Sequence, residues 1–311
     1  MIGVLQGFAT LAAVIGVGFF LAHRRIVDAD ASKVLSTIAF NVASPALALT
    51  LIARTDVTQV LSRQLLAIVV GVLVPVAVYV AVARLVWQRG LGDTVIGAFA
   101  AAYVNGGNLG IPVAAYVLGN ATYVVPTLLL QLVVLTPFGL MLLDHDAARR
   151  RGTGGIGWRR ALVRPLTNPL TVAMIIGVVL SLTGTPVPAV VGAPLEVLAA
   201  MAVPSMLLSY GVALRLGGGF GSGGSRAEIA LCSALQLVVQ PLVATLTAAY
   251  LLGLEGHALF AVAIVSALPT AQNVFTHATR YGRGQLLARD TILVTTALCL
   301  PVMLVIAAVL G

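Results

Sequence analysis

The sequence predicts an all-α integral membrane protein of ten transmembrane helices, arranged as a 5+5 inverted repeat in which two broken helices, spans four and nine, cross. Three observations lead to this prediction: long apolar runs, basic residues confined to alternate loops, and helix-breaking residues at matching places in both halves. The chain has 311 residues, of which 59% are hydrophobic and 9% are charged, and its mean hydropathy is +1.05. A soluble chain of this length needs far more charge to cover its surface.

The apolar runs are long enough to be membrane helices, because about 20 residues of α-helix cross the hydrocarbon core of a bilayer. The first run lacks the basic start of a secretory signal peptide, and its basic pair, Arg24 and Arg25, follows the apolar residues instead. We therefore count the first run as a span. The predicted spans cover residues 3–22, 33–53, 65–87, 94–118, 122–143, 168–184, 194–214, 227–252, 257–279 and 286–310.

The basic side chains predict the orientation of these spans. Sixteen of the 18 lysines and arginines follow spans one, three, five, seven or nine, and only Arg54 and Arg63 lie in the opposite loops. Because basic loops remain in the cytoplasm, we expect both termini to face outside. The net charge of +8 is then a signal of membrane topology, and we expect no nucleic-acid partner.

Residues that carry catalysis or bind cofactors are sparse. Cys232 and Cys299 sit inside apolar runs, where we expect small buried side chains without a disulfide. The sequence has no Cys/His cluster with metal spacing, no phosphate-binding Gly-Lys-Ser/Thr loop, and no paired Asp, Ser-His or HExxH arrangement at equivalent depths. We therefore expect no enzyme activity, no catalytic residues, no cofactor and no metal site.

Five spans in each half make the halves enter the membrane from opposite sides, as in the inverted repeats of many transporters. We predict a first five-helix repeat at 1–143, a basic cytoplasmic loop at 144–167 and a second repeat at 168–311. Pro45 in span two matches Pro204 in span seven, and a shift of 164 residues places Asn105 on Pro269. The ordered series of such matches favours the repeat.

Span four carries a cluster of helix breakers at its centre, in the sequence AAYVNGGNLGIPVAAYV. A surface turn at this point leaves about 11 residues before it, too few to cross a bilayer, so we place the break near the membrane midplane. Backbone that is not helical is tolerated at that depth only where it lines a cavity or is buried in protein. The predicted helix-breaking residues are Gly106, Gly107, Gly110 and Pro112 in span four and Pro269 in span nine.

The two breaks predict a polar site where they cross. The second half of each broken helix directs its N-terminus, with unpaired N–H groups and a partial positive charge, towards the crossing. Such a site favours a carboxylate. Asn105, Asn108, Gln272 and Asn273 add side-chain amides, and we consider these four residues the main substrate-binding candidates.

Polar residues inside other spans are further candidates. Asn41 and Ser44 on span two and Gln131 on span five either line the site or form hydrogen bonds with a neighbouring helix. His277 on span nine either takes part in proton coupling or lies at the membrane interface. All ten Asp and Glu are expected near span ends or in loops, which disfavours a cationic substrate and leaves the coupling open.

These observations favour a secondary transporter for a small organic anion in the lipid bilayer. Three alternatives remain open: a sodium-coupled symporter of the bile-acid transporter type, a cation antiporter, and a receptor without flux. Dependence of uptake on sodium separates the symporter from the other transporters. A receptor is disfavoured because it has no use for two broken helices.

Three of these segments resemble the auxin efflux carrier family, which includes PIN-type plant auxin exporters and bacterial malate and malonate permeases. They are the 105–112 motif NGGNLGIP, the 41–45 stretch NVASP of span two, and the break at Pro269. The resemblance extends over nearly the whole chain. The motif in span four is fairly specific, whereas the match in span nine is looser.

The resemblance implies a scaffold of spans one, two, six and seven, and a transport unit of the other six spans that moves by an elevator-type shift. It implies an organic anion bound at the crossing, and it leaves room for a homodimer through the scaffold helices. The long loop of the plant members is absent, since the loop here has about 22 residues. The preference for arginine over lysine, with abundant Ala and Gly, points to a bacterial plasma membrane.

Overall fold

The structure, a computed structural model, describes residues 2–54, 63–151, 169–216 and 225–311. Within these residues the regular elements are helices, apart from a single β-bridge. We number the α-helices in chain order as α1 (Ile2–His23), α2 (Ala29–Ile38), α3 (Ser44–Ala53), α4 (Arg63–Ala81), α5 (Leu91–Ala102), α6 (Ile111–Tyr116), α7 (Val125–Leu129), α8 (Thr136–Arg151), α9 (Pro169–Thr183), α10 (Ala189–Ala200), α11 (Ala202–Leu216), α12 (Arg226–Ala234), α13 (Gln240–Leu246), α14 (Gly256–Ser266), α15 (Gln272–Tyr281) and α16 (Gln285–Leu310).

The predicted apolar runs are helical. Five continuous helical segments of the described residues are long and apolar enough to cross a membrane: Arg63–Val86, Ala121–Arg150, Ala189–Ser209, Arg226–Leu251 and Gln285–Leu310. Shorter apolar helices occupy the other five predicted spans, three in the first half of the chain and two in the second. The all-helical membrane class is therefore confirmed, whereas the number of ten crossings and the inverted repeat remain predictions. Most of the predicted loop at 144–167 lies outside the described residues.

Proline explains where several helices widen from α to π spacing. The π turns Ala39–Ala43, Gly106–Gly110 and Leu235–Val239 each end two residues before a proline. A proline in a regular helix lacks the N–H that would reach the carbonyl four residues back, and its ring clashes with that carbonyl. A wider turn moves the carbonyl away from the ring. The helices therefore continue past these prolines with a local change of spacing.

Contacts divide the chain into two compact units. Unit 1 comprises Met1–Ser62, Gly106–Leu129 and Pro165–Gly218, and unit 2 comprises Arg63–Asn105, Leu130–Arg164 and Gly219–Gly311. Each unit draws on both halves of the sequence. Spans one, two, six and seven fall in unit 1, and spans three, eight, nine and ten fall in unit 2. Span four is divided at its break, between residues 105 and 106, and span five is divided between residues 129 and 130.

Glycine allows the closest helix packing in unit 1. A Cβ atom added at Gly18 of α1 would overlap the carbonyl of Leu208, and one added at Gly211 of α11 would overlap the carbonyl of Ile15. The backbones of α1 and α11 therefore lie in direct contact at both glycines. Small residues permit this approach in membrane helices, where packing rather than the hydrophobic effect holds helices together.

The core of unit 2 surrounds α5, whose residues from Thr94 to Ala102 are all buried. Tyr79 of α4 is fully buried beside it, and a Cβ atom at Gly97 would overlap the Tyr79 hydroxyl group. A Cβ atom at Gly139 of α8 would likewise overlap the ring of Phe99. The first half of span four is thus enclosed by protein, which fixes the position at which its helix ends.

Candidate functional site

A helix is interrupted in both of the predicted segments, but in span four the interruption lies before the predicted breakers Gly106, Gly107, Gly110 and Pro112, which are helical. In span four, α5 ends at Ala102, and Tyr103 has an extended backbone with φ −96° and ψ 97°. A π turn at Gly106–Gly110 then leads into α6. In span nine, α14 ends at Ser266 and α15 begins at Gln272. Each interruption exposes backbone groups that an unbroken helix would pair within itself.

The two interruptions meet and pair with each other in unit 2. Val104 and Thr270 form an isolated antiparallel β-bridge. The Asn105 N–H donates to the Pro269 carbonyl at 2.7 Å, and the Ala271 N–H donates to the Tyr103 carbonyl at 2.9 Å. The broken segments therefore satisfy each other's main-chain groups at a place where water is scarce and each unpaired group costs several kcal/mol.

Side chains from three further helical segments complete this pairing. Gln131 Nε2 donates to the Val104 carbonyl at 2.9 Å, and Gln236 Nε2 donates to the Leu268 carbonyl at 3.0 Å. The Thr270 N–H donates to Thr295 Oγ1 at 3.1 Å. Each interrupted segment is thus held by at least one polar side chain from a neighbouring span.

Thr270 also ties the second interruption to the end of α5. Its Oγ1 donates to the Ala100 carbonyl at 2.7 Å, and the residue is fully buried. A carbonyl in the last turn of a helix has no intrahelical partner, so this hydroxyl group supplies the missing donor. Thr270 is therefore buried, and it forms hydrogen bonds both to the end of α5 and to Thr295 of α16.

The predicted site residues of unit 2 cluster at this pairing. Asn105 is buried at the end of the first interruption, and Pro269 is buried in the second. Gln272 and Asn273 are half-buried in the first turn of α15, directly after Ala271. His277 lies one turn further along α15, with its ring 6.2 Å from that of Phe99.

The sequence left two roles open for Gln131, lining the substrate site or forming a hydrogen bond with a neighbouring helix. It is 2% exposed, and its amide group donates to the backbone of the first interruption. This contact gives the side chain a supporting role, which is distinct from direct contact with a substrate. The contact favours the hydrogen-bonding alternative stated for this residue.

The remaining predicted residues belong to unit 1. Gly106, Gly107, Asn108 and Gly110 form the π turn, and the buried Pro112 follows in the first turn of α6. Asn108 is half-buried, and a Cβ atom at Gly107 would meet no atom within 4 Å. The turn thus combines a half-buried amide with open space beside its backbone.

The two candidates on span two bond to their own helix. Asn41 is exposed, and its Nδ2 donates to the Thr37 carbonyl at 2.8 Å. Ser44 is buried, and its Oγ donates to the Ala39 carbonyl at 2.6 Å. Both contacts fall on the π turn before Pro45 or beside it, where the regular helical pattern is disturbed. Contact of either side chain with a substrate remains a prediction.

Sequence reasoning missed three residues that hold the interruptions together: Thr270, Thr295 and Gln236. Their signal in the sequence was only that each is a polar residue within an apolar run. A threonine is tolerated in a membrane helix because its hydroxyl group can bond the carbonyl one turn back, as Thr295 does with Thr291 at 2.7 Å. The same pattern therefore does not reveal a tertiary contact.

Four carboxylates near helix ends are more deeply buried than the sequence suggested: Asp144, Asp146, Glu228 and Asp290. Glu228, which is 4% exposed, accepts from Tyr79 Oη and from Arg89 Nη2, both at 2.7 Å. The hydrogen bond to Glu228 raises the pKa of the Arg89 guanidinium group. These acids lie on the side of the chain predicted to be cytoplasmic.

Arg283 joins three segments of unit 2 on this same side. Its Nε lies 3.1 Å from Asp146 Oδ2, and its Nη1 lies 3.4 Å from Asp93 Oδ2. Among the residues that the structure describes, no group of three or more His, Cys, Asp and Glu side chains is placed to hold a metal ion. The charged side chains of these contacts thus pair with one another.

Comparison with known proteins agrees with this architecture. The family model described as "Membrane transport protein" matches residues 4–151 and 158–307. A protein of Methanothermobacter thermautotrophicus described as an uncharacterized transporter is 29% identical over 265 residues, which cover 82% of this chain and 81% of its own. The assignment to transport in a membrane is confirmed, as is the resemblance drawn from the 105–112 motif. The chain is a multi-pass membrane protein and belongs to the membrane transport protein family, which is of the auxin efflux carrier type.

Proposed function

We propose that the protein is a secondary transporter that moves a small organic anion, a carboxylate, across a bacterial plasma membrane. The observation that carries the proposal is the bonded pairing of the two interruptions at Val104 and Thr270. In transporters, broken helices at the membrane midplane form the substrate site, with the N-termini of the half-helices directed at anionic groups. The substrate site proposed here lies at that pairing.

The amides near the pairing suit a carboxylate. Gln272 and Asn273 stand at the N-terminus of α15, where backbone N–H groups carry partial positive charge. Asn105 directly precedes the π turn Gly106–Gly110, and Asn108 is the third residue of that turn. An amide donates to a carboxylate oxygen without a fixed charge of its own. Such a site binds an anion and releases it again, as transport requires.

We further propose that transport proceeds by an elevator-type shift of unit 2 relative to unit 1. The membership of the two units favours this mechanism, because unit 2 contains both interruptions up to Asn105 together with spans three, eight, nine and ten. The bridge and the side chains of Gln131, Gln236 and Thr295 bind the interruptions to helices of the same unit. The amides of Asn105, Gln272 and Asn273 would therefore travel with unit 2, whereas Asn108 belongs to unit 1.

The alternative function is a sodium-coupled symporter of the bile-acid transporter type, or a cation antiporter. Glu228 and Asp290 are buried on the predicted cytoplasmic side, which is the observation that keeps this alternative in consideration. Both carboxylates pair with arginines, Arg89 and Arg289, which lowers their attraction for a free cation. Uptake into proteoliposomes with and without a sodium gradient separates the two functions.

Substitutions of Asn108 test the sign of the substrate charge. Hydrogen bonds to charged groups contribute roughly 1.5–3 kcal/mol, so Asn108→Ala should weaken binding of a dicarboxylate by about tenfold to a hundredfold. Asn108→Asp should weaken binding further, because it places a like charge beside the anion in a low-dielectric setting. Binding is measured by thermal shift and calorimetry on purified protein, with dicarboxylates, indole-3-acetate and bile salts as ligands.

Asn120→Asp is the matched control, because Asn120 is exposed and its Oδ1 accepts from the Thr122 N–H, a contact that an aspartate preserves. This variant should bind like the unaltered protein. If Asn108→Asp binds the ligand more tightly than Asn108→Ala, the site prefers a cation and the proposal is wrong. If neither change at Asn108 alters binding, the substrate does not contact this amide.

A further inference from the structure

Unit 2 contains an apolar cavity of about 280 Å³ that reaches the paired interruptions only at Tyr103. It lies among the helices α4, α5 and α8, and its walls are formed by side chains such as Val76, Val80, Ala98 and Phe138. Phe138 is 58% exposed, so the cavity is bounded on one side by a side chain that faces the surroundings of the protein. We call this cavity the α4–α5–α8 groove.

The two ends of the groove differ in chemistry. Arg84 and Leu91 lie at the end nearest the loop that follows span three, which the distribution of basic residues places in the cytoplasm. Tyr103, the first residue of the span-four interruption, lines the other end. Arg84 is the only charged residue among the described residues that line the groove.

Arg84 differs in its contacts from four other arginines on this side of unit 2. Arg89, Arg150, Arg283 and Arg289 each form an ion pair with a carboxylate. Arg84 is exposed and donates from Nη1 to the Arg89 carbonyl at 2.9 Å, and it forms no ion pair within the part of the chain that the structure describes. Arg84 thus lines the mouth of an apolar groove, and no carboxylate of the described residues pairs with it.

We propose that the α4–α5–α8 groove binds an anionic phospholipid of the cytoplasmic leaflet, with one acyl chain in the groove and the phosphate on Arg84. An apolar channel with one cation at its mouth is complementary to an amphipathic anion. Arginine binds phosphate through charge-assisted hydrogen bonds from its planar fork. The cytoplasmic leaflet supplies such lipids at the depth where the basic loops lie.

The size of the groove agrees with an acyl chain. The cavity of about 280 Å³ is far larger than the roughly 10–15 Å³ that one water molecule needs on the same measure, so it has room for a run of several methylene groups. Acyl chains are already in an apolar medium within the bilayer, so the groove gains only packing contacts from them. The preference for one lipid over another therefore depends on the headgroup at Arg84. A bound chain would touch Tyr103, whose carbonyl accepts from Ala271 in the paired interruptions.

Native mass spectrometry of the purified full chain tests the proposal. Phosphatidylglycerol and phosphatidylcholine with identical acyl chains are added to delipidated protein in detergent, and their dissociation constants are compared. We expect phosphatidylglycerol to bind roughly tenfold more tightly, because the choline cation of phosphatidylcholine offsets the attraction of Arg84 for the phosphate that both lipids carry. Arg84→Gln should bring the two constants within about twofold of each other, since it removes the charge from an exposed side chain without disturbing the core.

Arg280→Gln is the matched control, because Arg280 is an exposed arginine on the same predicted side but outside the groove lining. It should retain the preference for phosphatidylglycerol. Ala98→Phe fills the groove and should weaken the binding of both lipids. If this variant does not fold, a phosphatidylglycerol carrying a photoreactive acyl chain replaces it, and crosslinks should map to Phe138 and Leu142.

Three results would overturn the proposal. The first is an unchanged preference for phosphatidylglycerol in Arg84→Gln, and the second is a set of crosslinks that avoids the groove. The third is displacement of phosphatidylglycerol by equimolar dodecanoate, because the ligand would then be a free fatty acid rather than a phospholipid. None of these readouts depends on which substrate the paired interruptions bind.

Discussion

Replacing Gln131 by leucine tests whether this amide supports the first interruption or contacts the substrate. Gln131 is 2% exposed, and its Nε2 lies 2.9 Å from the Val104 carbonyl. Leucine has nearly the same volume but no donor, so the buried carbonyl loses one partner. An unsatisfied buried group costs about 1–3 kcal/mol, whereas side-chain hydrogen bonds between membrane helices average about 0.6 kcal/mol. We therefore expect the free energy of unfolding to fall by about 1–2 kcal/mol.

The measurement is unfolding in mixed micelles with increasing sodium dodecyl sulfate, together with ligand binding at a temperature where the variant is folded. Gln285→Leu is the control, because Gln285 is an exposed residue at the start of α16. It should leave the free energy of unfolding within about 0.5 kcal/mol of the original value. If Gln131→Leu unfolds like the unaltered protein but loses ligand affinity, the amide contacts the substrate and the supporting role is refuted.

Two further predictions concern packing and topology. Gly97→Ala should lower the free energy of unfolding by about 1–3 kcal/mol, because the new methyl group displaces the Tyr79 hydroxyl group from Glu228. Gly16→Ala is the control and should not be destabilising, since a Cβ atom at Gly16 meets no atom within 4 Å. In a variant without Cys232 and Cys299, a cysteine at Thr185 should react with an impermeant thiol reagent on intact cells, and a cysteine at Gly90 should react only after lysis; the reverse pattern would overturn the predicted orientation.

The interruptions were predictable from sequence because their signals are local. Glycine and proline disturb a helix wherever they stand, and Pro269 lies within the second interruption. In span four, by contrast, α5 already ends at Ala102, and the predicted breakers Gly106, Gly107, Gly110 and Pro112 lie in the helical turns that follow. The length of an apolar run also constrains where a break can lie in a bilayer. Hence a few residues were enough to predict which two spans are interrupted, whereas the exact interruption in span four, from Tyr103 to Asn105, was not predicted.

The partners of the interruptions were not predictable in the same way. The amides of Gln131 and Gln236 look alike in sequence, and only the folded chain shows that each donates to a different interruption. The burial of Glu228 has a similar origin, because a carboxylate near a helix end is exposed unless another helix covers it, as Tyr79 and Arg89 do here. Long-range contacts of this kind leave no periodic pattern in the sequence.

The division into two units shows a further limit. The sequence suggested consecutive repeats at 1–143 and 168–311, and these remain a prediction. The two compact units do not correspond to these repeats, since each unit combines segments from both halves of the sequence. Covalent order along the chain and spatial grouping are therefore separate properties of this protein. The second half of span four, beginning at Gly106, illustrates this difference, because it groups with unit 1 although the first half belongs to unit 2.

The β-bridge has an evolutionary consequence. Its two hydrogen bonds join main-chain atoms, the N–H groups of Asn105 and Ala271 with the carbonyls of Pro269 and Tyr103. Any residue except proline supplies such an N–H group, so the crossing persists when the side chains at positions 104 and 105 are exchanged. The two main-chain bonds therefore constrain the identity of these residues only by excluding proline. In an evolving lineage, the geometry of the crossing can be inherited through the backbone, while burial rather than hydrogen bonding decides which side chains positions 104 and 105 accept.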